Sequence, residues 1–118
     1  MKKVAIIINT PPHGNAKGRE ALDIALAMSI INHISVFFIG DGVLHLLPNQ
    51  HPENILMRDY IATFNMLELY DIEDVYVCES SLTARNLTHA TLNIPNKVIN
   101  TQALQQLFAA QDVILRFN

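Results

Sequence analysis

The stretch Ile6–Ala27, IIINTPPHGNAKGREALDIALA, runs from an apolar segment through a glycine-bearing loop into a helical pattern. Lys3 to Ile8 is a short run rich in β-branched apolar residues, which predicts a strand covered on both faces. From Gly18 to Asn32 apolar residues recur at helical spacing, with Glu20 and Asp23 in the first turns, where the helix dipole favours acids. A buried strand followed by a helix is the repeating unit of parallel α/β folds.

The same alternation continues to the C terminus. Further strands are predicted at Ile34–Ile39, Asp74–Cys78, Lys97–Asn100 and Val113–Phe117, and helices or helical turns at Val43–Leu47, Asp59–Leu69, Ser81–Asn86 and Thr101–Ala110. Thr101 is expected to cap the last helix, whose inner stripe is Leu104, Leu107 and Phe108. This order predicts an α/β fold, a three-layer α/β/α sandwich with a mostly parallel five-stranded sheet. At 118 residues, we expect one domain spanning residues 1–118.

The composition predicts a protein that other subunits cover. Half of the residues are hydrophobic and 16% are charged, below the roughly 25% charged residues of ordinary soluble domains. A small domain does not bury so much apolar surface by itself, so part of it is expected to lie in interfaces. The outer flank of the Gly18–Asn32 helix, with Ile24, Met28 and Ile31, and the segment GVLHLLP (42–48) are the expected interface segments.

Charge and hydropathy disfavour two classes of partner. The net charge is −3, and the eight Lys and Arg form no basic stripe with interleaved aromatics, so direct nucleic-acid binding is not expected. The most apolar stretch is broken by Asp41-Gly42, well short of the ~20 residues that a membrane-crossing helix needs. The N-terminal segment lacks a signal-peptide cleavage site. With Cys78 as the only cysteine, no internal disulfide can form, and a cytoplasmic location is the default expectation.

The loop NTPPHGNAKG (9–18) is expected at the carboxyl end of the first strand, where α/β sheets bind ligands. Its glycines do not fit a nucleotide site. Gly14 and Gly18 are separated by three residues rather than the four of the phosphate-binding G-x-x-x-x-G-K pattern, and G-x-G-x-x-G is absent. Pro11 and Pro12 lack N–H donors, and Glu20 would repel a phosphate. A structural or docking loop is the favoured interpretation, and no cofactor is predicted.

Cys78 is the one weak candidate for chemistry. It lies at the end of the third predicted strand, before ESSL, where a thiolate near a helix start could attack or carry sulfur. The alternative is a small buried hydrophobe, as most lone cysteines are. Glu79 is expected to raise the thiol pKa, and no Lys, Arg or His lies within four residues to lower it. The structural interpretation of Cys78 is therefore favoured.

Other residue types build no active site. The five histidines, His13, His33, His45, His51 and His89, show no metal-ligand spacing, and no second cysteine completes a zinc site, so no metal is predicted. Asp41 follows a strand, but Asp-Gly is equally a turn signal. Ser80 and Ser81 lack the glycines of a hydrolase nucleophile elbow.

Three segments together resemble the DsrF-like family of sulfur-relay subunits: TPPHGNAKGREALDIALAMS (10–29), VFFIGDGVLHLLPNQHPENILMRDYIATFNMLELYDIEDVYVC (36–78) and DVILRF (112–117). The resemblance spans Lys3 to Phe117 and is weakest over Thr83–Gln102. It implies a heterohexamer containing two copies each of this chain and of TusB-like and TusD-like paralogues. Such a complex takes persulfide sulfur from a TusA-like donor and passes it to a TusE-like acceptor, for 2-thiolation of the modified wobble uridine of tRNA.

The resemblance also bears on Cys78. In this family the sulfur-bearing cysteine is ascribed to the TusD-like subunit, and alignment on Leu82 places that cysteine at Val77. Side chains alternate across a strand, so the offset turns the Cys78 thiol to the other face. A non-catalytic subunit of the relay is the favoured hypothesis. A sulfurtransferase that carries persulfide on Cys78, with Arg85 as its nearest cation, is the alternative, and an anion- or nucleotide-binding module using Asn9–Arg19 is a weaker third.

Overall fold

Five parallel strands form the centre of the fold. A computed structural model describes residues 1–11, 17–47, 66–67, 69–88, 92 and 96–117. The strands are β1 (Lys3–Ile8), β2 (His33–Phe38), β3 (Asp74–Cys78), β4 (Lys97–Ile99) and β5 (Val113–Phe117). Every neighbouring pair is parallel, and the order across the sheet is β4-β3-β2-β1-β5. The predicted α/β class with a parallel five-stranded sheet is confirmed.

Helical segments alternate with the strands as predicted. They are α1 (Lys17–Met28), a 3₁₀ segment (Gly40–Leu46), α2 (Glu79–Ala84) and α3 (Thr101–Ala109). The three residues 66, 67 and 69 are also helical. They belong to the end of the predicted Asp59–Leu69 helix, whose earlier part lies outside the described residues.

Several helix bounds differ from the sequence-based expectation: the 3₁₀ segment begins at Gly40 rather than Val43, and α2 begins at Glu79 rather than Ser81. At two other helix ends, side chains bond to the backbone. α1 ends at Met28 and not at Asn32, since the Ser29 hydroxyl donates to the Leu26 carbonyl and the Asn32 amide donates to the Met28 carbonyl. The cap of α3 is Asn100 and not Thr101. Asn100 Oδ1 accepts from the Ala103 N–H at 2.8 Å.

Strand order determines which face of the sheet each helix covers. The chain steps in one direction from β1 through β2 and β3 to β4, and it crosses back only to reach β5. Right-handed crossovers therefore place α1, the helical residues 66, 67 and 69, and α2 on one face, and α3 on the other. The packing agrees, because Leu22, Leu67 and Leu82 lie in the larger core cluster with alternate strand residues.

The opposite face has a smaller core beneath α3. Ala5, Ile7 and Phe37 are buried there, and the predicted inner stripe of Leu104, Leu107 and Phe108 packs on them, which confirms it. The Phe108 ring meets the Phe37 ring edge-on with centroids 4.8 Å apart, and Tyr76 stacks on Phe37 at 5.0 Å. One short helix thus covers the centre of this face.

The prediction that GVLHLLP (42–48) forms an interface is wrong for Val43 and Leu46. Val43 and Leu46 are fully buried in the larger core cluster, because the 3₁₀ segment folds back over the end of the sheet. On the outer flank of the predicted Gly18–Asn32 helix, by contrast, Ile24 and Ile31 are exposed, and Ile31 lies just beyond the end of α1. Over the described part of the chain, no helix has both the length and the apolar character needed to cross a bilayer.

Candidate functional site

Polar groups from three neighbouring strands meet at the carboxyl-terminal edge of the sheet. Asn9 and Thr10 follow β1, Gly40 and Asp41 follow β2, and Ser80 and Ser81 follow β3. Parallel strands end at a common edge, as the sequence predicts. Residues 12–16 of the glycine-bearing loop lie outside the described residues, so the absence of a nucleotide site in that loop stays a prediction.

Cys78 is the last residue of β3 and directly precedes α2. Its side chain is only 6% exposed, and Sγ lies 3.2 Å from Ser80 Oγ. Val77 beside it is fully buried in the larger core cluster, to which Cys78 does not belong. Successive strand residues point to opposite faces, so a thiol at 78 occupies a different environment from one at 77.

Hydrogen bonds lower the pKa of the Cys78 thiol below its ordinary value. Burial acts in the opposite direction and is the largest single influence. The side chains of Ser80 and Ser81, together with hydrogen bonds from the backbone of the same two residues, outweigh it. The expectation that Glu79 would leave the thiol with a raised pKa is therefore wrong. Glu79 is exposed, and the two serines after it supply the donors.

Sequence reasoning missed Ser80 and Ser81 as functional residues because it tested them only as nucleophiles. The signal was present in CESSL: a cysteine immediately before a helix start, followed by two hydroxyl residues in the first turn. The free backbone N–H groups of a first helical turn point back toward such a residue. Their combined donors favour the thiolate.

Ser81 also links the ends of β2 and β3. Its Oγ accepts a hydrogen bond from the Gly40 N–H at 2.8 Å. Because an amide can only donate, the Ser81 hydroxyl proton is left to donate to the Cys78 sulfur. Gly40 has φ +54°, a left-handed conformation that glycine adopts without steric cost.

Arg85 holds Asp41 beside this cluster. Its Nε and Nη2 lie 3.1 and 2.8 Å from Asp41 Oδ1, and Nη1 donates to the Ser81 carbonyl at 3.0 Å. The sequence suggested Arg85 as the nearest cation for a persulfide on Cys78. In the structure the guanidinium is already bound to a carboxylate and a carbonyl, so its charge is compensated locally.

The two described histidines lie at opposite edges of the sheet. His33 is exposed at the amino-terminal edge, with Nε2 2.5 Å from Asp74 Oδ2. His45 is buried near the carboxyl-terminal edge, where its Nε2–H donates to the Thr10 carbonyl at 2.7 Å. His13, His51 and His89 lie outside the described residues. Within the ranges that the structure describes, no three His, Cys, Asp or Glu side chains come together in a group that could hold a metal ion.

Comparison with known proteins agrees with this fold. Proteins named Protein TusC from Escherichia coli O157:H7 and from Escherichia fergusonii are each 49% identical to this chain, over 99% of this chain and 100% of their own length. A solved structure, the ychN protein from E. coli, superposes with a TM-score of 0.85 at 21% identity, covering 99% of this chain and 100% of that one. At that identity the superposition shows the fold.

The family model of the DsrE/DsrF-like family matches residues 2–117, which include all five strands and the Cys78 edge. A match over nearly the whole chain, together with relatives of equal length at 49% identity, establishes the family. The chain belongs to the DsrE/DsrF-like family.

Proposed function

We propose that this chain is a non-catalytic subunit of a sulfur-relay complex for 2-thiolation of the tRNA wobble uridine. In this role it assembles with TusB-like and TusD-like paralogues into a heterohexamer with two copies of each. That complex passes persulfide sulfur from a TusA-like donor to a TusE-like acceptor. The observation that carries the proposal is the 49% identity, over 99% of the chain, to proteins named Protein TusC.

The geometry around Cys78 supports a structural role for this subunit. A persulfide carrier has to present its sulfur first to a donor and then to an acceptor, whereas the Cys78 side chain is 6% exposed. The adjacent cation, Arg85, is bound to Asp41. The family resemblance, aligned on Leu82, places the carrier cysteine of the TusD-like subunit at Val77, and Val77 is buried in the core.

A second function is favoured by one specific observation, the lowered pKa of the Cys78 thiol. In that function Cys78 itself carries sulfur. Its thiolate attacks the terminal sulfur of the donor persulfide, the donor S–S bond breaks, and the donor cysteine leaves as a thiolate. The product is a persulfide on Cys78, and no external oxidant or reductant is consumed.

The test of the proposed function is to purify the tagged chain from its native cell and to measure the mass of the intact complex. Native mass spectrometry should find the paralogues with equal copy numbers. In the same sample, alkylation followed by peptide mass spectrometry should find persulfide on a paralogue and only free thiol on Cys78. A persulfide on Cys78 would favour the second function. Purification without any paralogue would contradict the assembly.

A further inference from the structure

Four large apolar side chains are exposed together at the amino-terminal edge of the sheet, opposite the edge of Cys78. Ile30 and Ile31, which precede β2, are 78% and 72% exposed, and Leu69 and Tyr70, which precede β3, are 79% and 42% exposed. Because β2 and β3 are parallel neighbours, both segments reach the sheet at the same edge. Isolated exposed apolar residues are common, whereas a contiguous group marks an interaction surface. We call these four residues the amino-edge patch.

Backbone hydrogen bonds hold the amino-edge patch in a fixed conformation. The Ile31 N–H donates to the Met28 carbonyl at 3.3 Å, and both the backbone and the side-chain amide of Asn32 donate to the same carbonyl. The Tyr70 N–H donates to the Met66 carbonyl at 3.1 Å. A surface that is already ordered loses little conformational entropy when a partner covers it.

The charges beside the amino-edge patch differ in sign on its two sides. On the β1 side lies Lys2, whose carbonyl accepts the His33 N–H at 2.9 Å. On the β3 side lie Asp71 and Glu73, and all three charged side chains belong to exposed residues. None of the three forms an ion pair with a residue that the structure describes. At the same edge Asp74 is paired with His33 and Lys97, and Asp112 accepts a hydrogen bond from the Lys3 N–H. Around the apolar centre, the charges without a described ion pair are therefore cations on the β1 side and the two acids on the β3 side.

We propose that the amino-edge patch is a two-fold interface between two copies of this chain. A two-fold axis through the apolar centre places the same patch on both copies. It brings Lys2 of each copy to Asp71 and Glu73 of the other, and it covers the four apolar side chains with one another. The layout is complementary to itself, which identifies a second copy as the occupant. The interface concerns this chain alone and is independent of any sulfur chemistry.

Sedimentation equilibrium of the purified full-length chain tests the apolar centre. The wild-type chain should dimerise, and Ile31→Asp combined with Leu69→Asp should weaken dimerisation by more than about tenfold, because the axis brings four unpaired carboxylates into the interface. Val98→Asp is the matched control: Val98 is 49% exposed on the edge strand β4, and its replacement should leave the dimer unchanged. If the double variant still associates as strongly as the wild type, into dimers or larger oligomers, the proposed interface is wrong.

A charge exchange tests the orientation without relying on the apolar residues. Lys2→Glu alone or Glu73→Lys alone should weaken the dimer about tenfold, since each sets like charges against each other. The combined variant should return to within about threefold of the wild-type dissociation constant, which a folding defect would not produce. Failure of this rescue overturns the two-fold arrangement. The wild-type chain could instead be monomeric alone and lose a paralogue from the complex when Ile31 and Leu69 are replaced. That result would assign the amino-edge patch to a different subunit and would also overturn the two-fold interface.

Discussion

Gly42 of the 3₁₀ segment lies directly against Ile8 of β1, so close that a Cβ at position 42 would be 1.9 Å from the Ile8 carbonyl oxygen. The atom in the way is a backbone carbonyl oxygen at the end of β1, and a backbone atom cannot move aside by changing a side-chain rotamer. This contact lets the 3₁₀ segment cover the sheet edge, and it places Gly40 and Asp41 next to α2.

Gly42→Ala should therefore destabilise the fold by about 3 kcal/mol, since the segment has to shift away from β1. The matched control is Gly40→Ala, where the nearest atom to the added Cβ is 3.9 Å away and only the φ of +54° opposes the change. The control should cost about 1–2 kcal/mol. Urea unfolding followed by circular dichroism measures both, and equal losses would contradict the steric explanation.

Removing the hydroxyls beside Cys78 should raise the pKa of its thiol. Ser80→Ala and Ser81→Ala each remove a side-chain donor that favours the thiolate, and the double variant should raise the pKa most. The rate of iodoacetamide alkylation against pH reports this pKa. Thr83→Ala in the same helix is the control, because its hydroxyl donates to the Glu79 carbonyl instead. A pH profile unchanged in the double variant would show that the serines do not act on the sulfur.

The same thiol should make stability depend on pH between its lowered folded-state pKa and its ordinary pKa of 9.0. The folded-state pKa is depressed from the ordinary value of 9.0, so ionisation favours the folded chain. The gain is complete above the ordinary pKa and is lost as the pH falls through the folded pKa. Comparison of urea midpoints for the wild type and Cys78→Ala across this range isolates the contribution. A difference between the two that is constant with pH would contradict it.

Cys78→Ser should leave tRNA 2-thiolation nearly intact in cells with normal relay partners, because the sulfur of a non-catalytic subunit is not transferred. The buried hydroxyl costs about 1–3 kcal/mol if it finds no partner, so abundance has to be measured beside the 2-thiouridine content. Normal abundance with lost 2-thiouridine is the pattern expected of a carrier and would establish the second function.

The glycine-bearing loop should bind neither ATP nor NAD(P). Its glycine spacing is wrong and two prolines remove N–H donors from it. Thermal-shift titration with millimolar nucleotide should leave the melting temperature unchanged. A saturable rise in melting temperature that follows mass action would contradict this interpretation of the loop.

Expression alone should give a homo-oligomeric or aggregated chain, and co-expression with its paralogues should give a well-behaved complex. The reason is that 50% of the 118 residues are hydrophobic and only 16% are charged. Exposed apolar residues at Ile30, Ile31 and Leu69 are consistent with it. Size-exclusion chromatography with light scattering measures the state, and a stable lone monomer at micromolar concentration would count against assembly.

Local sequence patterns were sufficient to predict the layers of this protein. Strand bounds at Asp74–Cys78 and Val113–Phe117 were predicted to the residue, because apolar β-branched runs bounded by polar residues have few alternatives. The parallel sheet followed from the alternation of strands and helices, and the family from motifs spread along the chain. These features depend on patterns among residues that are close in the sequence, so they can be predicted without knowledge of distant contacts.

The exposed surfaces and the electrostatics of the Cys78 site depend on contacts between residues far apart in the chain. The sequence predicted Val43 and Leu46 to lie in an interface. In the structure they are buried, because Gly42 packs against Ile8 and the 3₁₀ segment folds onto the sheet. Glu79 stood next to Cys78 in the sequence, yet the pKa of the thiol depends on the hydroxyls that the start of α2 turns toward it. The sequence suggested Arg85 as the nearest cation for a persulfide on Cys78, whereas in the structure Asp41, 44 positions away, binds its guanidinium. Burial, charge pairing and pKa depend on which residues meet in space, and for pairs far apart in the chain only the folded backbone decides that.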